Sequence, residues 1–426
     1  MQAQLNAAIS MINGYLWDYL IIFILIGAGL YFTFTTKFVQ IRYLGEMIRL
    51  IASSAGEKTE KNHISSFQAF CVTTASRVGV GNIAGIAIAV VIGGPGAIFW
   101  MWIAAFFGMA TKYAEGLLAV KYRSVDANGE IAGGPMFYIR NGLGEKWKPL
   151  AVFFAIACIL VAFLGIGTFP QVNAIVDSMA ITFAFPRVAT DVILTVFIAA
   201  VTIGGLQSIS KVASKLIPFM ALFYIAISLG LIVLFIDRLP SAITLILDGA
   251  FTGTAAAGGF AGSTIMIAMQ NGIARGVFSN ESGLGSAPIA AAAAKTKWPA
   301  EQGLISMTGT FIDTIIICTM TGLALVLTGV WQGDAAGAAM TTAAFASTYG
   351  SVGSQLLTIS LILFAFTTIL GWNYYGERAV IYLTGTKGVL PYRLIFIVLI
   401  ASGAFLKLEA IWVLADIVNG LMAIPN

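Results

Sequence analysis

Apolar runs of about 20 residues, parted by short polar segments, recur along the whole chain, and about 20 apolar residues in a helix span a bilayer core. The pattern predicts eleven transmembrane helices, near residues 16–35, 65–91, 95–120, 150–182, 189–208, 213–236, 250–278, 302–330, 353–384, 391–408 and 409–424. The last two are parted only by Lys407 and Glu409. With the first span set aside as an extra N-terminal helix (16–36), the other ten divide into two groups of five, 64–237 and 248–424. Five is odd, so the halves lie inverted. The expected fold is a single all-α integral membrane domain over 1–426, with a 5+5 inverted repeat.

Each half opens on an interrupted span. In the first, Gly79, Gly81 and Gly85 stand beside Arg77 and Asn82. Lipid offers no water to satisfy a backbone, so such a patch predicts an unwound helix whose N–H and C=O groups face a cavity. In the second, Gly258 to Thr264 precede Gln270, Asn271, Gly272 and Gly276. Two breaks at corresponding places in inverted halves are the pointer to a secondary transporter. Glycine also lets membrane helices pack closely, and that alternative stands open here.

Composition narrows the class. Of 426 residues, 59% are hydrophobic and 10% charged, against about 25% charged in soluble domains. Cys71, Cys158 and Cys318 lie in apolar spans and read as small core residues. No basic flank precedes the first apolar run, so no cleavable signal peptide is expected. Lys and Arg concentrate in alternate loops, with Arg187, Arg238 and Lys407 alone on the other side. Basic residues favour the cytoplasm, which sets the N-terminus outside and the C-terminus inside a plasma or inner membrane. A membrane enzyme needs His, Asp, Glu or Cys clustered at one depth, and no such cluster is visible. A channel predicts a continuous polar pore, whereas the polar residues gather at two breaks. Nothing calls for nucleic acid or an obligate protein partner.

Four segments carry a resemblance. Arg77 to Gly85, the run from Gly93 to Gly108 (GGPGAIFWMWIAAFFG), Gly133 to Tyr138, and Ser279 to Gly285 resemble the sodium:alanine symporter family, in order along nearly the whole chain. The resemblance implies a leucine-transporter-like fold and sodium-coupled import of small neutral amino acids, alanine and glycine, by alternating access.

An amino acid is a zwitterion, so a buried pocket must neutralise both ends. The N–H groups of Gly79, Val80, Gly81 and Asn82, where the second part of the broken helix starts, suit the carboxylate. Ser76, Gln270 and Asn271, with Gly272 in the same break, suit the ammonium; no carboxylate is required, and none is expected near either break. Pro170 bends the span around Gln171. By the resemblance, that helix lines the pocket and Gln171 contacts the substrate, with Phe163, Phe169 and Trp372 closing around it. Hard cations prefer oxygen ligands. The resemblance puts sodium among the carbonyls of Ala75, Val78 and Phe364 and the hydroxyls of Thr367 and Thr368, although threonines in helices also bond back to the preceding turn. Asp313 and Asp416 lie inside spans, as proton relays or structural pairs; Arg275 pairs with Glu281 or lipid headgroups; Glu115 and Glu377 belong to the inner surface. The alternatives are a proton-coupled amino-acid transporter of the same fold, or a sodium symporter for a larger neutral amino acid such as glutamine.

Overall fold

Helix α1 (Ile22–Thr35) follows a π-helical stretch, Tyr15–Ile21. In this computed structural model, residues 11–56, 64–252, 265–405 and 408–426 are described. Helix α2 (Leu44–Ser54) is short and amphipathic. Helix α3 (Ser66–Arg77) starts at a capping box, in which the Ser65 hydroxyl accepts from the Gln68 N–H and the Gln68 side chain accepts from the Ser65 N–H. After Arg77 the chain bends by 52°. It resumes as a π-helical turn, Gly81–Gly85, and helix α4 (Ile86–Gly93).

The chain continues through α5 (Gly96–Lys121), α6 (Pro135–Leu143), α7 (Lys148–Leu164), α8 (Phe169–Phe183), α9 (Arg187–Thr202) and α10 (Gly205–Leu234). Then come α11 (Leu239–Phe251), α12 (Ile265–Asn280), α13 (Pro299–Thr310), a π-helical stretch Phe311–Cys318, and α14 (Thr319–Thr328). The chain closes with α15 (Gly337–Tyr349), α16 (Ser351–Thr384), α17 (Val389–Ser402) and α18 (Leu408–Ala423). Strands are vestigial. β1 (Ile64–Ser65) pairs in parallel with β4 (Ala294–Lys295), and β2 (Ser124–Val125) pairs with β3 (Ile131–Ala132) as a hairpin.

Among the described residues, seven helices are long and apolar enough to cross a membrane, or eight if the bent pair α3/α4 forms one span. Helices α9, α12 and α18 occupy expected runs but have 16 residues each, so the structure does not carry the full count of eleven. Outward-facing apolar side chains such as Phe197, Leu222 and Val398 are more than half exposed, as a lipid-facing surface requires. Between α7 and α8 the helix lapses at Gly165–Thr168, just ahead of Pro170. Pro170 is thus an early residue of α8, where its missing N–H costs nothing.

The second expected break differs. Gln270, Asn271, Gly272 and Gly276 lie in the unbroken helix α12; Gly258 to Thr264 lie outside the described residues. Helix α12 packs on α5. A Cβ on Gly272 would come 2.3 Å from the Ala97 carbonyl oxygen, and one on Gly276 2.7 Å from Met101 Cγ. The glycines there serve close packing.

Several charged side chains are paired at depth. Arg275 meets Asp416 through two bonds, 3.1 and 2.9 Å long, rather than Glu281. Glu115 and Glu377 are buried rather than on a surface, pairing with Lys112 at 2.7 Å and Arg393 at 2.6 Å. Arg378, 2% exposed, reaches Asp126 and Glu130 of the β2–β3 hairpin.

Candidate functional site

The site forms where the bend between α3 and α4 meets α8 and α16. Val78 is extended (φ −74°, ψ 90°), so its carbonyl leaves the helical direction. Thr368 Oγ1 lies 3.0 Å from the Ala75 carbonyl oxygen, 3.3 Å from that of Val78 and 2.9 Å from that of Phe364. A hydroxyl has one hydrogen, so it serves one of the three at a time. Three carbonyl oxygens therefore surround one buried hydroxyl. A Cβ on Gly79 would stand 2.5 Å from Thr368 Oγ1 and 3.2 Å from Gln171 Oε1. Only glycine lets α16 and the bend approach this closely. Thr367 stands apart: its hydroxyl bonds back to the carbonyls of Leu363 and Phe364, both at 3.0 Å, and lies 3.5 Å from Met220 Sδ.

The N–H groups of the bend face amide oxygens. Gly79 N donates to Asn82 Oδ1 at 2.9 Å, and Val80 N donates to Gln171 Oε1 at 3.2 Å. Gln171 Nε2 donates in turn to the Ile166 carbonyl at 3.0 Å, so this one side chain ties the bend to the lapse ahead of α8. Phe169, two positions before Gln171, is buried. Trp372 is buried where a Cβ on Gly167 would come 2.6 Å from its own Cβ. Its indole N–H has no acceptor among the described residues, and an unmet buried donor costs about 1–3 kcal/mol. Phe163 instead stacks on Tyr392, ring centres 5.0 Å apart. A cavity of about 510 Å³ reaches the bend at Val80, between Ala84, Pro170, Ala174, Asp177 and Thr342.

Other expected residues fall elsewhere. Gln270 and Asn271 line a separate polar cavity of about 190 Å³ with Asn13, Arg275 and Asp416. Asn271 Nδ2 is engaged by the Ile267 carbonyl at 2.9 Å, and Gly272 is packed against Ala97 and Trp100. The Ser76 hydroxyl bonds to the Thr73 carbonyl and to Tyr375 Oη, both at 2.9 Å.

Two carboxylates stand beside the bend, against expectation. Asp313 Oδ1 accepts from Asn82 Nδ2 at 2.7 Å, and buried Glu281 has Oε2 3.5 Å from Ser76 Oγ. Both come from more than 200 positions away in the chain, which is why no local pattern announced them. The signal present was a carboxylate inside an apolar span.

A bent helix whose freed backbone groups face a cavity is the mark of a membrane transporter, and the fold agrees. A solved structure of MhsT in complex with L-phenylalanine superposes with a TM-score of 0.58 at 13% identity, over 86% of this chain and 89% of the other. A manganese transporter from Eremococcus coleocola gives 0.54, over 87% and 78%. The molecule is a multi-pass membrane transporter with a leucine-transporter-like fold.

The sodium:alanine symporter family matches residues 2–426, and the chain belongs to it. A relative from Methanococcus maripaludis named sodium/alanine symporter AgcS is 46% identical over 98% of this chain and 92% of its own length. An uncharacterized transporter from Haemophilus influenzae is 54% identical over 99% and 92%. A probable sodium/glutamine symporter, GlnT of Bacillus subtilis, is 39% identical over 100% and 88%.

Proposed function

We propose that this protein couples sodium entering down its gradient to the import of small neutral amino acids, alanine and glycine, by alternating access. The observation that carries the reading is the convergence of Thr368 Oγ1 with the carbonyls of Ala75, Val78 and Phe364. Three acceptors around one shared hydroxyl suit a hard cation, which takes all four oxygens at once. Thr367 is a secondary ligand, because its hydroxyl reaches carbonyls of its own helix and the Met220 sulfur but none of the bend.

The N–H groups of Val80 and Gly81 receive the carboxylate, one of its oxygens taking the place that Gln171 Oε1 now holds on Val80, while the N–H groups of Gly79 and Asn82 stay engaged within the turn. Gln171 is assigned to the substrate through its bond to the Val80 N–H, and Phe169 and Trp372, both buried, are assigned to the same pocket, with the unmet Trp372 N–H as a donor for a polar ligand. Gln270, Asn271 and Gly272 are left out of the pocket. Sodium fixes α16 against the bend and so shapes the substrate site, which makes the two ligands strengthen each other's binding. The N-terminus lies outside and the C-terminus inside, with inverted repeats at 64–237 and 248–424, a reading that rests on the Lys and Arg pattern.

Uptake of labelled alanine into proteoliposomes under an inward sodium gradient tests the reading. Uptake should stop when potassium or choline replaces sodium, and alanine and glycine should outcompete glutamine. Uptake indifferent to sodium would sink the proposal.

A further inference from the structure

Asp313 sits in the π-helical stretch Phe311–Cys318 and is 0% exposed. Its Oδ1 accepts from Asn82 Nδ2 at 2.7 Å. Its Oδ2 accepts from Ser279 Oγ at 2.9 Å and from Thr314 Oγ1 at 2.8 Å. Each oxygen of the carboxylate is thus engaged by a donor.

Asn82 carries a donor end and an acceptor end on one planar group. A carboxylate accepts only, so it selects the NH₂ end. The acceptor end then faces the Gly79 N–H at 2.9 Å. The reverse orientation would set oxygen against carboxylate and NH₂ against N–H, two repulsions between fully buried groups. The Asn82 N–H also returns to the Gly79 carbonyl at 3.2 Å, closing the turn that presents Val80 N–H beside the cavity.

We propose that Asp313 is a positioning residue for transport: by accepting only, it fixes the amide orientation of Asn82, which holds the Gly79–Asn82 turn and aims the Val80 N–H at the substrate. This rests on the carboxylate position given above. It assigns the buried acid a role other than proton relay, and it ties the π-helical stretch before α14 to the bend after α3.

The test uses the full-length chain in proteoliposomes with labelled alanine, sodium at saturation. Asp313→Asn keeps one acceptor but adds a donor, so orientation loosens without being lost. Asp313→Leu removes the acceptor. The expected order is graded: KM rises about threefold for D313N and about tenfold or more for D313L, while kcat changes less than either. In an Asn82→Ala background, where no amide remains to orient, D313L should add little. The same cycle run on thermal melting needs no ligand, so it still reads the Asn82–Asp313 coupling if wild-type uptake of alanine fails, and that failure would count against the proposed function alone. D313N as impaired as D313L, or additive effects of N82A and D313L, would overturn the assignment. Should D313L not fold, the modest effect required of D313N remains decisive, since a tenfold loss there contradicts it.

Discussion

Two glycine-rich stretches, Gly79–Gly81 and Gly272–Gly276, look alike as text and behave differently in space. Around the first, the helix bends by 52° and its N–H groups turn to side-chain oxygens, Asn82 within the bend and Gln171 of α8. Around the second, α12 runs unbroken and presses on α5, with Gly272 against the Ala97 carbonyl. Glycine permits both outcomes, and the neighbour chooses. Polar oxygens wait beside Gly79, whereas a flat helix face of Ala97, Trp100 and Met101 waits beside Gly272 and Gly276. A break is therefore defined by what stands ready to receive the freed groups.

The contrast can be broken at its extremes. Gly79→Ala should give the largest effect: sodium-driven uptake falling about 100-fold or more, because the methyl group enters the space of Thr368 Oγ1 and Gln171 Oε1. The protein should still purify as a folded, monodisperse species. Thr368→Ala comes next, raising the sodium concentration for half-activation about tenfold, with Thr368→Ser restoring most of it. If Thr368→Ala leaves sodium activation untouched, the oxygen cluster is not an ion site. Gly272→Ala should act on stability, lowering the melting temperature through overpacking of about 1–3 kcal/mol. Its KM per folded molecule should stay unchanged; a specific rise in KM would mean that the second stretch reaches the site after all. Thr367→Ala should give the smallest effect, less than about threefold in sodium activation, since its hydroxyl bonds back to the preceding turn of its own helix and to no carbonyl of the bend.

Much of this was legible in the chain. Apolar runs located the long helices, and the polar glycines beside Arg77 and Asn82 located the bend. Gln171 and Thr368 stood out as polar residues in apolar surroundings, and both side chains reach the bend. Helices α11 and α15 escaped notice for a physical reason. Both have 13 residues, and α15 is built mainly from alanine and threonine, so neither forms a run long enough to suggest a span. Gln270 and Asn271 misled because an amide in an apolar helix needs a partner but does not say which. Asn271 found its own helix at Ile267. Asp313 was visible as an anomaly, yet its partner Asn82 lies 231 positions away, a distance that no periodicity spans.

Gln171 Oε1 already holds the Val80 N–H while its own NH₂ holds the Ile166 carbonyl. A newcomer that takes Val80 N–H must first evict an occupant, so association there is an exchange reaction. Its free energy is a difference between two hydrogen bonds rather than a gain from one. An anionic oxygen makes the stronger bond and can win that contest, whereas a neutral ester or amide offers only a like-for-like swap. A free carboxylate arriving at this N–H would thus gain only the margin by which its bond exceeds that of the amide already there.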